Sequence, residues 1–224
     1  MKTADDYSLD EARERAFERK RVNFVADYEL GATPALIWQC MPAETLVLDV
    51  ANEPLREALR EGAAAISDLG WWCAFKSGRR PALVFEGLAS STASDAAGWA
   101  TEVHADGHFL AGVWTFPEVS SHAQTPIPAV ADFYADAFRD FGFVASKVYE
   151  AAVYNAGALV TCTMLRSNKL PLAGGRDGIL ATAVNRSELR WPVLTVEGPE
   201  HILTACAAMA AQFMRSYGRV APKS

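Results

Sequence analysis

The sequence predicts an α+β protein, a largely antiparallel mixed sheet of hairpins backed by helices. Two kinds of segment carry this prediction. Some runs place apolar residues at helical spacing, such as PAVADFYADAFRDFG; others are short apolar stretches joined across turn residues, such as WWCAFKSGRRPALVFEG. A short echo is the third observation. Asp68-Leu69-Gly70-Trp71-Trp72 and Asp140-Phe141-Gly142-Phe143-Val144 each have the form of a helix end, with glycine in the left-handed stop and an aromatic entering a strand. The echo suggests two similar α-β-β halves in one compact domain: an N-terminal helical segment over residues 1–43, a first half over 44–119 and a second over 120–224.

Composition bounds the class. Half of the 224 residues are apolar and 21% are charged, enough for a continuous core and too little charge for a disordered chain. A net charge of −6 argues against nucleic acid or an anionic membrane surface as partner, since both need a field of clustered Lys and Arg. Cys40, Cys73, Cys162 and Cys206 lie far apart with no CxxC pair, the pattern of buried thiols in a reducing compartment. The polar start MKTADDYSLDEARER has no secretory core, and no stretch reaches the roughly 18 apolar residues of a membrane span. A cytoplasmic location is expected.

Along the chain, Ser8 and Glu11 have capping-box spacing, and strong helix formers follow, so a helix is expected from about Leu9 to Asp27. Glu11, Glu14 and Glu18 interleave at helical spacing with the basic residues, including the cluster Arg19 to Arg21, which favours intrahelical pairing over nucleic-acid contact. ALIWQCM is a short apolar segment, and ETLVLDV, residues 44–50, reads as a strand. Asn52 and Pro54 open a helix to about Asp68; a hairpin follows around Ser77-Gly78, with Arg79 and Arg80 beside its tip. Residues 93–106 admit two structures. In one, Asp106-Gly107 turns a hairpin with Trp99 opposite Trp114 and Val103 opposite Leu110; in the other, Ser94 or Asp95 caps a helix that Gly107 ends. The alanines and the paired start and stop signals favour the helix.

Three prolines in PEVSSHAQTPIP mark the boundary between halves. The helix after it carries Val130, Phe133, Ala137, Phe138 and Phe141 on its apolar stripe, with Asp132, Asp136 and Asp140 as a solvated opposite face. KVYEAAVYNAGALVTCTML reads as a hairpin around Asn155-Ala156-Gly157, and ILATAVNRSELRWPVLTV as another around Asn185 to Glu188, its last strand pushed to the sheet edge or a bulge by Pro192. Gly198-Pro199 opens a long last helix with Ile202, Cys206, Met209, Phe213 and Tyr217 on one stripe. That stripe is expected against the sheet or against another copy of the chain, a route to a homo-oligomer.

Candidate chemistry is sparse. Glu102, His104, Asp106 and His108 alternate at every second residue and could offer nitrogen and oxygen ligands to a divalent metal, or catalytic groups in a cleft between the halves. Gly107 works against this by breaking the element, so that the four would not share a face. Arg79 and Arg80, and the cations Arg166, Lys169 and Arg176 around AGGRDG, are candidates for holding an anion. No G-x-S-x-G elbow or nucleotide fingerprint occurs, and no cofactor is expected. Trp71, Trp72, Trp99, Trp114 and Trp191 read mostly as core, with any exposed ring marking a binding surface. The sequence names no activity. It favours a non-catalytic binding protein (an adaptor, inhibitor or chaperone-like module) that recognises a protein partner or small ligand. The alternative is a cytoplasmic enzyme, a metal-assisted hydrolase working near residues 102–108.

Overall fold

The computed structural model describes residues 4–56, 82–84, 86–93, 98–114, 129–170, 172–174, 179–181 and 185–217. Its contacts divide the chain into two units, residues 1–33 and 34–224. The first is α1, Ala4–Asp27, followed by a single 3-10 turn at Leu30–Ala32. Its charges pair along the helix as expected, Arg15 with Glu11 at 2.9 Å and Arg21 with Glu18 at 2.6 Å. The helix begins before Ser8, which therefore lies inside it.

The second unit is built on an eight-stranded sheet. Its strands are β1 (Ala35–Pro42), β2 (Ala82–Val84), β3 (Gly87–Ala93), β4 (Gly98–His104), β5 (Phe109–Trp114), β7 (Ala158–Leu165), β10 (Glu188–Arg190) and β11 (Leu194–Val196). They run in the order β10-β7-β1-β5-β4-β3-β2, with β11 also on β7, and every pairing is antiparallel. A smaller sheet joins β6 (Ala129–Val130), β8 (Leu172–Gly174) and β9 (Ile179–Ala181), with β6 parallel to β8. The α+β class and the antiparallel sheet backed by helices are as the sequence predicts.

Helices α2 (Ala131–Ala151) and α3 (Ile202–Ser216) cover one face of the large sheet. Leu36, Trp38 and Cys40 of β1, Phe109, Ala111 and Val113 of β5, and Val160, Cys162 and Met164 of β7 point to that face at strand alternation. Trp38 meets Phe138 edge to face at 5.3 Å, and Phe109 stacks on Phe141 at 5.2 Å. The α3 stripe of Ile202, Cys206, Met209, Phe213 and Tyr217 is buried within the chain itself.

Several elements differ from the sequence reading. The strand near residue 40 is ALIWQCMP and not ETLVLDV. β1 is hydrogen-bonded on both sides and buried on both faces, which suits a continuous apolar run, whereas residues 44–50 are irregular and expose Val47 at 82%. Residues 98–104 are a strand and not a helix. The hairpin register also differs, with Trp99 opposite Val113 and Val103 opposite Phe109, because the connection has three residues: Gly107 donates to the His104 carbonyl at 2.9 Å with φ of 79°.

Gly142 is no helix stop. It lies inside α2, where an added Cβ would come within 3.0 Å of Cys206 Sγ and of Leu203 Cα, so it is the point of close approach between α2 and α3. The helix therefore runs through Lys147 to Ala151, and no hairpin forms around Asn155-Ala156-Gly157. Nor do residues 185–188 turn a hairpin between β9 and β10: β10 pairs with β7, Glu188 opposite Leu165, while β9 pairs with β8. Pro192 does separate β10 from β11 on the outer side of β7, as expected. Asp140 is buried at 2% exposure, so the aspartate row is not wholly a solvated face. The expected helix after Asn52 is described only over residues 53–56, and Trp71, Trp72, Cys73 and the Ser77-Gly78 turn lie outside the described residues.

Candidate functional site

On β4, Glu102 and His104 are two residues apart and therefore share a face of the sheet. This is the face opposite α2 and α3, on which Ile37, Gln39, Leu110, Trp114, Thr161 and Thr163 are also buried. The β3–β4 register places Gly87 opposite His104, and this brings the preceding residue, Glu86, to the imidazole. His104 Nε2 lies 2.8 Å from Glu102 Oε2, and Nδ1 lies 3.1 Å from Glu86 Oε2. The ring is buried, Glu102 nearly so, and Glu86 reaches the surface.

Both ring nitrogens of His104 face carboxylate oxygens, so both are engaged by groups of the protein itself.

Asp106 and His108 stand apart from this clasp. Asp106 is exposed at the loop tip, and its carboxylate accepts the His108 backbone N–H at 3.1 Å, a local turn bond. His108 is buried, its ring 6.3 Å from that of His104. Of the sequence candidates, then, Glu102 and His104 are in contact, His108 is adjacent and Asp106 points to the turn. Among the described residues no three His, Cys, Asp or Glu side chains are arranged to hold a metal ion.

The loop tip is held on several sides. Leu48 donates its N–H to the Ala105 carbonyl and Ala105 to the Glu86 carbonyl, each at 2.8 Å, and the Tyr149 hydroxyl donates to the Gly107 carbonyl at 3.0 Å. Leu46 and Pro42 close over Gly107, leaving 2.9 Å to any added Cβ. Burial pushes the Tyr149 phenol well above its ordinary range, and neighbouring Cys40 adds to this; burial likewise pushes the Cys40 thiol up to about 12. Burial also raises the Cys162 and Cys206 thiols well above theirs, so none of the three is an activated nucleophile.

The other candidates are scattered. Arg166 and Lys169 are exposed at the 3-10 turn Ser167–Lys169, whereas Arg79, Arg80 and Arg176 lie outside the described residues. His201 is exposed beside Glu200, 3.3 Å away. Glu86 is the residue that sequence reasoning missed, and only the strand register reveals it. No helix among the described residues is long and apolar enough to cross a membrane. Comparison of the chain with protein-family models, with curated proteins and with solved structures finds no match in any of the three.

Proposed function

We propose that this chain is a non-catalytic binding protein that recognises an extended apolar segment of a protein partner at the β2 edge of its sheet. The observation that carries the reading is β2 itself. It is the outermost strand among the described residues, and it exposes Leu83 at 64% and Val84 at 43%. An apolar outer strand is a template onto which another strand can add, its backbone groups giving affinity and its side chains selectivity. The clasp supports the same reading, because Glu86 lies at the turn between β2 and β3 and His104 ties that turn to β4. Its groups satisfy one another and serve to position the edge. The buried free thiols of Cys40, Cys162 and Cys206 support a reducing, cytoplasmic setting.

The test is retention of an array of β-prone apolar peptides on the immobilised full chain. Retention by the native protein that is lost in Leu83→Asp is expected. Equal retention by both proteins, or none by either, overturns the β2 reading. Stoichiometric zinc or manganese in purified protein, lost in a His104→Ala, His108→Ala double variant, would instead favour the metal-assisted hydrolase.

A further inference from the structure

After β1 the chain runs over residues 43–50 as neither strand nor helix, before Leu55 returns to the core. This strap reaches the turn between β4 and β5 and is moored to that turn and to the connection between α2 and β7. Ala43 donates its N–H to the Gly157 carbonyl at 2.8 Å, Glu44 to the Tyr154 hydroxyl at 3.1 Å, and Leu48 to the Ala105 carbonyl at 2.8 Å. Leu48 is buried and Leu46 partly so, whereas Glu44, Thr45, Val47 and Asp49 are exposed.

Both ends of the strap are fixed. Pro42, just before it, pairs with Ala158. At the far end Asn52 donates its N–H to the Asp49 carbonyl and Ala51 to the Asp49 carboxylate, each at 3.0 Å, which closes a turn. Between these points the strap is held by isolated bonds and two leucines, while β1 is laddered to β5 on one side and β7 on the other. A segment held in this way opens at lower cost than the strands beside it. Beneath it the contacts run in series. Leu46 lies against Gly107, whose carbonyl accepts the Tyr149 hydroxyl at 3.0 Å, and Tyr149 neighbours Cys40. Cys40 is wholly buried, two residues before β1 ends.

We propose that residues 43–50 open as one unit, hinged where β1 ends and at the Asp49 turn, and that opening uncovers Gly107, Tyr149 and Cys40. The strap is thus a gate on one end of the core that moves without parting the sheet. It makes no use of β2, so its test and that of the binding reading fail separately.

Amide hydrogen exchange of the full chain, resolved by residue with NMR, reads the opening. The Ala43, Glu44 and Leu48 amides should share one protection, about 10-fold or more below that of the β1 amides. Tyr154→Phe removes the hydroxyl that holds Glu44 and should speed all three by a common factor of about 3–10, Leu48 included, although Leu48 is bonded to a different connection. Leu46→Ala, which leaves Tyr154 intact, should act in the same direction. N-ethylmaleimide, followed by peptide mass, should modify Cys40 before Cys162 and Cys206, and faster still in Tyr154→Phe. Leu48 protected as well as β1, or an effect of Tyr154→Phe confined to Glu44, overturns the proposal. So does equal labelling of the three thiols, or a gain in exchange that the β1 amides share, since both mark opening of the whole fold.

Discussion

Removing the imidazole of His104 would leave the Glu86 and Glu102 carboxylates without the ring that links them, Glu102 being mostly buried. Breaking a buried charged group by deleting one partner costs more than the group contributes, though the exposure of Glu86 tempers the penalty. His104→Ala is therefore expected to lower stability by about 1–3 kcal/mol, read from urea unfolding at neutral pH. Replacing Glu86 and Glu102 by Gln in that variant should recover part of the loss. Half of this clasp was legible in the sequence, because Glu102 and His104 stand two apart in a run that draws the eye. Glu86 was not legible: it comes from another strand connection, and only the pairing of Gly87 with His104 brings it near.

At the scale of elements, the errors share a cause. Local signals were sound as local chemistry, and tertiary contacts overrode them. Ala100 suits a helix, yet the neighbouring Gly98 is small because the Trp114 ring lies across it, 2.4 Å from where a Cβ would stand. Gly142 resembles a C-terminal stop, but its missing side chain is what lets α3 come close. The expected outcome for Gly142→Leu is a loss of about 1–3 kcal/mol from overpacking, despite a gain of about 1 kcal/mol in helix propensity. A thermal melt checks the sign, since a helix-stop role would leave α2–α3 packing untouched. Where a segment is buried on one side only, as in α3, the apolar stripe sufficed to predict it. β1, buried on both faces, has no alternation to read.

For the whole molecule, six thiols and phenols among the described residues share one direction. Burial raises the Cys40, Cys162 and Cys206 thiols and the Tyr134, Tyr149 and Tyr217 phenols above their ordinary values. In the unfolded chain thiols lose their proton near pH about 8.5 and phenols near about 10, while the folded chain keeps these protons to higher pH. The folded state thus binds more protons in the alkaline range, and stability must fall as pH rises there. Urea midpoints should be level from these groups below pH about 8 and fall steadily from about 9 to 11. A flat alkaline profile would mean that these groups reach solvent.

The position of β1 has a consequence for the order in which the chain assembles. Ala35 pairs with Trp114 on one side and with Leu165 on the other, so the middle of the sheet is specified early and completed late. Such distant pairings carry a large loop-closure cost and slow folding. During synthesis the apolar run ALIWQCMP leaves the ribosome long before either neighbour exists. Until β7 has emerged, this apolar strand has an unpaired edge, and the nascent chain is open to edge-to-edge association at that stage.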